Sequence, residues 1–266
     1  MTTSKNTYVP FILALVAGLL LGILFFYIAR PTEDSPAGEG ESVEVPGLGE
    51  ITVDNPGVTI EEVKPVSGIP PRQYTTPLSF EAGTSEEVKA ILQGKFEELQ
   101  AALSKDSKDF NVWVRLGALR KQAGDYLGAA GDWEYVSKLY PQNIVSFGNL
   151  GNLYLDFLKD YEKAELNYKQ QITNSPASED AYSALFSLHT DYGYKTGTSA
   201  AKAILKEGIA AVPDSVSLRV LLARYYKEKG DTERAATQYD AAIAAAKTAG
   251  NTQAVSQLET EKAELE

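Results

Sequence analysis

The alternation of hydrophobic and polar positions changes its rhythm twice along the chain. From Tyr8 to Ala29 the run YVPFILALVAGLLLGILFFYIA contains no charged residue. It predicts a membrane-spanning helix, because about 20 apolar residues are needed to cross a bilayer core. From Ser85 onward the apolar residues return at helical spacing: Val88, Ile91, Leu92, Phe96, Leu99 and Leu103 share one face of a first helix. Ser85 stands where an N-cap belongs, and Glu86 and Glu87 occupy the first turn, where carboxylates suit the helix dipole. Between these regions, prolines 31, 36, 46, 56, 65, 70, 71 and 77 are interleaved with glycines and with Glu33, Asp34, Glu39, Glu41, Glu44 and Glu50. Such a composition buries too little apolar surface to offset its ordering entropy, so a disordered acidic linker is expected, extended by its prolines and by self-repulsion. Valine and isoleucine alternate loosely over Val43–Val63, which admits a small β-element instead, confined to an edge by Pro46 and Pro56. The expected organisation is therefore a leader at 1–7, a transmembrane anchor at 8–30, a Pro/Gly-rich linker at 31–84 and an all-α domain at 85–266.

The apolar run reads as an uncleaved anchor rather than a signal peptide. Cleavage requires small side chains after a shorter apolar core, and here Tyr27-Ile28-Ala29-Arg30-Pro31 closes the run. Lys5 and the amino terminus nearly balance Arg30, so the basic residues orient the helix only weakly. The short leader and the acidic linker favour N-in topology, with the helical domain on the extracytoplasmic side. Ala14, Gly18 and Gly22 recur every fourth residue as a stripe without bulk that would let two copies pack as a homodimer, although such residues are common in membrane helices by chance.

Within the helical region, Tyr140-Pro141, Ser175-Pro176 and Val212-Pro213 stand 35 and then 37 residues apart. Ahead of Pro141 come Trp113-x2-Leu116-Gly117, Gly124-Asp125-Tyr126, Ala129 and Trp133. A second copy runs through Phe147, Leu150, Gly151, Tyr154, Ala164, Tyr168 and Pro176, with one residue inserted in the turn near Asp160. A third is degenerate: Tyr182 and Leu185 match, Phe186 replaces the small residue, and Gly193–Thr198 lengthens the turn before Ala201, Leu205 and Pro213. A fourth contains Leu222, Ala223, Tyr226, Gly230-Asp231, Ala235, Tyr239 and Ala242, with Arg219 where the aromatic would stand. Small residues in these patterns permit close helix approach, and Trp133, Tyr168 and Tyr239 fill the space between hairpins. One hairpin cannot bury its apolar face alone, so stacked copies are needed, with the helix before Lys105 and the segment Thr252–Glu266 as caps.

This pattern resembles the tetratricopeptide repeat (TPR) family, whose period is about 34 residues. The resemblance covers Ser85–Glu266 and implies an α-solenoid with a concave groove lined by the first helix of each hairpin. In that register Val114, Ala118 and Lys121 face the groove from the first repeat. Asn149, Asn152 and Asp156 do so from the second, Ser183, Ser187 and Asp191 from the third, and Val220, Arg224 and Lys227 from the fourth. The candidate partner-binding residues are accordingly Lys121, Asn149, Asn152, Asp156, Ser187, Asp191, Arg224 and Lys227. Val114 and Ala118 stand where carboxylate-clamping members of the family carry lysine and asparagine, which argues against capture of a terminal carboxylate. The layout of anchor plus repeats is similar to bacterial membrane-bound TPR proteins, including those of cytochrome c biogenesis, and implies a scaffold for cell-envelope complex assembly. The alternative is a structural spacer that self-associates through its transmembrane helix.

Composition narrows the chemistry further. The chain has no cysteine, hence no disulfide, thiolate nucleophile or cysteine-ligated metal. A net charge of -11 opposes nucleic-acid binding, which depends on cationic side chains displacing counterions. His189 is the single histidine and falls at the position of Tyr154, facing helix packing rather than a catalytic partner. Glu97-Glu98 and Glu259–Glu264 read as solvated helix faces, the tyrosines mostly as core, and Tyr192 and Tyr194 as exposed contacts. No catalytic constellation and no cofactor is expected; the partner is a protein or peptide.

Overall fold

The computed structural model describes residues 42–45, 49–52, 64–195 and 199–265, in two units, Met1–Glu61 and Glu62–Glu266. The predicted anchor, with Ala14, Gly18 and Gly22, lies outside the described residues. In the first unit, β1 (Ser42–Val45) pairs antiparallel with β2 (Gly49–Thr52), in the register Val43 to Ile51 and Glu44 to Glu50. This part of the expected linker is therefore a small hairpin, the minority reading of the sequence.

The second unit contains ten α-helices among its described residues: α1 (Glu86–Lys105), α2 (Phe110–Ala123), α3 (Tyr126–Leu139), α4 (Val145–Leu153), α5 (Tyr161–Asn174), α6 (Glu179–Thr190), α7 (Ala200–Ala211), α8 (Val216–Glu228), α9 (Thr232–Thr248) and α10 (Thr252–Ala263). Helices α2/α3, α4/α5, α6/α7 and α8/α9 form four hairpins stacked in chain order, with α1 and α10 at the ends. Local chemistry sets their limits. The side chains of Ser85, Asp109, Asp125, Asp160, Ser215, Asp231 and Asn251 each accept a first-turn backbone N–H, satisfying donors that a helix leaves unpaired. Gly124 closes α2 in the left-handed region, at φ 87°, where a side chain would be strained.

Inside the hairpins small residues meet large ones. A Cβ on Gly117 would lie 2.7 Å from Cδ1 and Cε2 of the buried Trp133, and one on Gly151 would lie 2.7 Å from Cδ1 of Tyr168. Ala223 and Tyr239 belong to one buried cluster of the fourth hairpin. The third hairpin inverts the sizes: Phe186 takes the small position and Leu205 the aromatic one, within one cluster. The residue inserted in the second repeat is absorbed not at Asp160 but one turn earlier, where α4 widens into a π-helical turn over Tyr154–Leu158, closed by Lys159 at φ 55°.

Residues 64–84 require a correction to the expected linker. They form an extended strap docked on the first hairpin and α1. The Val66 N–H donates to Leu139 O at 2.8 Å, and the Glu81 N–H to Ala123 O at 2.9 Å. Leu78 is buried, and Ile69, Tyr74 and Phe80 pack beside it against Leu92, Phe96 and Trp113. Arg120, 1% exposed, donates to Thr76 O at 2.6 Å and to Asp132 Oδ2 at 3.0 Å. The strap's Arg72 completes the pairing, its Nε 2.8 Å from Asp132 Oδ1. A proline-rich composition disfavours a self-contained core, but it does not prevent an extended segment from burying its few apolar residues on a neighbouring surface.

Candidate functional site

The first helices of the hairpins, α2, α4, α6 and α8, carry the predicted groove residues. The strap lies on the Trp113, Arg120 and Ala123 side of α2, and helical geometry turns Val114, Ala118 and Lys121 away from it. It therefore leaves that row free.

One concavity on these helices, about 260 Å³, opens at the start of α4. Its walls include Ile144, Val145, Asn149, Asn152, Gln171 and Asp180, from α4, α5 and α6. Local sequence explains its apolar lip. Asn143, rather than Ile144, supplies the side-chain cap, accepting from the Ser146 N–H and hydroxyl, each at 2.8 Å. Ile144 and Val145 are thereby free to face solvent, 39% and 44% exposed. Gly148 keeps the floor low, since a Cβ there would approach Gln171 Oε1 to 3.1 Å. Asn149 is half-buried, and Asn152 is exposed with its Oδ1 already accepting from the Tyr168 hydroxyl at 2.7 Å. Burial pushes the Tyr168 phenol up, so it stays a neutral donor. The Asn152 amide N–H groups and the Asn149 side chain thus remain to bond a backbone laid across them.

The other candidates divide. Lys121 sits over the Phe157 ring, 5.0 Å from its centroid. Asp156 accepts from the Tyr192 hydroxyl at 2.7 Å, and Asp191 from the Thr190 hydroxyl at 2.9 Å. Ser187 is half-buried on α6. Arg224 and Lys227 are not free groove cations. Arg224 makes a two-pronged contact with Glu261, at 3.0 and 2.7 Å, and Lys227 reaches Glu264 at 2.9 Å. The segment read as a solvated polar cap folds back along α8 and takes up both charges. Between α8 and α10 lies a second concavity of about 360 Å³, lined by Val220, Leu221, Arg224 and Leu258. Tyr192 and Tyr194 are likewise not free contacts: both are half-buried, packed edge-on against Tyr161.

Sequence reasoning missed Ile144, Val145, Gln171 and Asp180. One signal was available for the first two: an apolar pair stands at a helix start, where polar capping residues are the rule. His189 is the buried spacer its position suggests, 6% exposed, with Nε2 3.9 Å from Glu165 Oε1 and Nδ1 without a hydrogen-bond partner among the described residues. Burial lowers its pKa, an effect only partly opposed by Glu165. Burial also pushes Glu165 up, but hydrogen bonds from Lys169 and Lys195 outweigh it and hold the carboxyl at about 2. Among the described residues no group of three His, Asp or Glu is placed to hold a metal ion, and no helix is long and apolar enough to cross a membrane.

Four stacked helical hairpins make the helical unit an α-solenoid, the fold that the resemblance to tetratricopeptide repeats implies. No protein-family model and no curated protein matches the sequence. Several solved structures are similar in fold. MamA is 16% identical with a TM-score of 0.49, the match covering 65% of this chain and 99% of that one. PilF of Pseudomonas aeruginosa is 14% identical at 0.47, covering 66% and 84%. YrrB, a TPR protein with an unusual peptide-binding site, is 12% identical at 0.43, covering 63% and 92%.

Proposed function

We propose that this chain is a membrane-anchored scaffold whose groove at α4–α6 holds an extended segment of a partner protein during assembly of a cell-envelope complex. The observation that carries the reading is the concavity with an apolar lip, Ile144 and Val145, beside the amides of Asn149, Asn152 and Gln171. Apolar side chains give an incoming segment something to bury, and amides bond its backbone with little dependence on its sequence. Anchoring rests on the uncharged run Tyr8–Ala29, in N-in orientation with the repeats on the extracytoplasmic side. The role is binding rather than catalysis, and the partner is a polypeptide rather than a nucleic acid, in keeping with the net charge of -11.

The test is affinity capture of the full chain from its native membrane, comparing wild type with Ile144→Ser/Val145→Ser. Both positions are half-exposed, so the fold tolerates the change. A partner held by wild type and lost from the variant supports the groove; a partner held equally by both refutes it.

A further inference from the structure

We infer that the groove selects a basic segment, one whose lysine or arginine side chains lie beside the apolar residue it buries. This rests on the groove reading above and adds to it the charge of the occupant.

The inference follows from which charges on the first helices are already spent. The cations expected at the C-terminal end of the face are neutralised within the chain, Arg224 by Glu261 and Lys227 by Glu264. Lys121 lies over the Phe157 ring, a neutral partner that leaves its charge in place, so it is one cation of the candidate row set against the carboxylates that follow. The carboxylates of the middle repeats are not matched in this way: Asp156, Asp180 and Asp191 make no ion pair among the described residues. Asp180 stands in the wall of the concavity itself. Asp156 follows Asn152 along the same helix, and Tyr192, the neighbour of Asp191 in the chain, donates to it. Each aspartate accepts at most a neutral hydroxyl. Asp180 in its wall, and Asp156 one turn beyond Asn152, therefore put carboxylates beside the concavity, in a protein of net charge -11 whose long-range field also draws cations. An acidic segment would meet repulsion at each carboxylate, whereas a basic one gains attraction and a faster encounter.

The experiment uses the detergent-solubilised full-length chain and synthetic peptides of one apolar content, graded in net charge from acidic to basic, with affinity read by fluorescence anisotropy at low and high salt. Basic peptides should bind best, and should weaken on Ile144→Ser/Val145→Ser. Each of Asp156→Asn, Asp180→Asn and Asp191→Asn should lower their affinity by about two- to fivefold at low salt, with the loss fading as salt rises. Asparagine retains the acceptor for Tyr192 or Thr190, so folding is preserved. If acidic or neutral peptides bind as well as basic ones and still depend on Ile144 and Val145, the charge inference is overturned while the groove stands. If no peptide's binding depends on Ile144 and Val145, the groove reading fails together with it.

Discussion

Removing Asp132 tests whether the strap belongs to the folded domain. Asp132 is fully buried and binds two guanidinium groups, Arg120 at 3.0 Å and Arg72 at 2.8 Å. Asp132→Ala deletes both charge-assisted hydrogen bonds and leaves Arg120 buried with Asp125 and the Thr76 carbonyl as partners. A buried ion that loses one of its partners costs several kcal/mol; with these two compensating, the expected loss is about 3 kcal/mol. Arg72→Ala is milder. Its side chain is one-third exposed and Asp132 keeps Arg120, so the expected loss is about 1 kcal/mol. Against a total stability of about 5–15 kcal/mol the first change is large and the second small. Urea unfolding measures both losses, and amide exchange at Val66 and Glu81, whose N–H groups bond Leu139 and Ala123, reports strap docking separately. Arg72→Ala should speed exchange at these amides more than it lowers global stability. The reasoning is refuted if Asp132→Ala costs no more than Arg72→Ala, or if both amides of the wild type exchange at the rate of an unstructured chain.

Three further outcomes follow from the packing. Gly117→Ala places a methyl against the Trp133 indole and should destabilise by about 1–2 kcal/mol despite better helix propensity, whereas Gly94→Ala, with nothing within 4 Å, should stabilise by about 0.5–1 kcal/mol; thermal melts of the pair decide it. Stability should fall as pH drops below about 6.5, because the unfolded chain protonates His189 more readily than the buried imidazole, and fall again below about 4.3 as Glu165 loses its pairing with Lys169 and Lys195. Urea midpoints across pH should show the upper step vanish in His189→Gln and the lower one persist. Arg224→Glu should set two carboxylates against each other at Glu261 and raise amide exchange across α10 without loosening α2 or α3.

Helix by helix, the repeat unit was legible because its determinants are local and recur. Gly117 with Trp133 and Gly151 with Tyr168 stand at fixed spacing within one hairpin, and Asp125 and Asp160 cap the second helices. The degenerate third copy was readable through its neighbours, with Phe186 at the small position and Leu205 at the aromatic one in one buried cluster. The groove was half legible. Asn149 and Asn152 lie in its wall, but Gln171 comes from the second helix of the hairpin and Asp180 from the following repeat. A register drawn on single helices could not bring those two in.

Period and side-chain size alone fixed the all-α class, the hairpins, their order and the capping ends, because each hairpin closes on residues a few turns away. Two features depended on partners distant in the chain. Residues 64–84 dock through Arg72, which meets Asp132 across 60 positions, although their composition alone reads as linker. Arg224 and Lys227 are neutralised by glutamates 37 residues on, which takes two expected cations out of the groove. The physical reason is the same in each case: periodicity records which face of an element is buried, while the pairing of a charge or an extended segment depends on the three-dimensional neighbour that desolvates it.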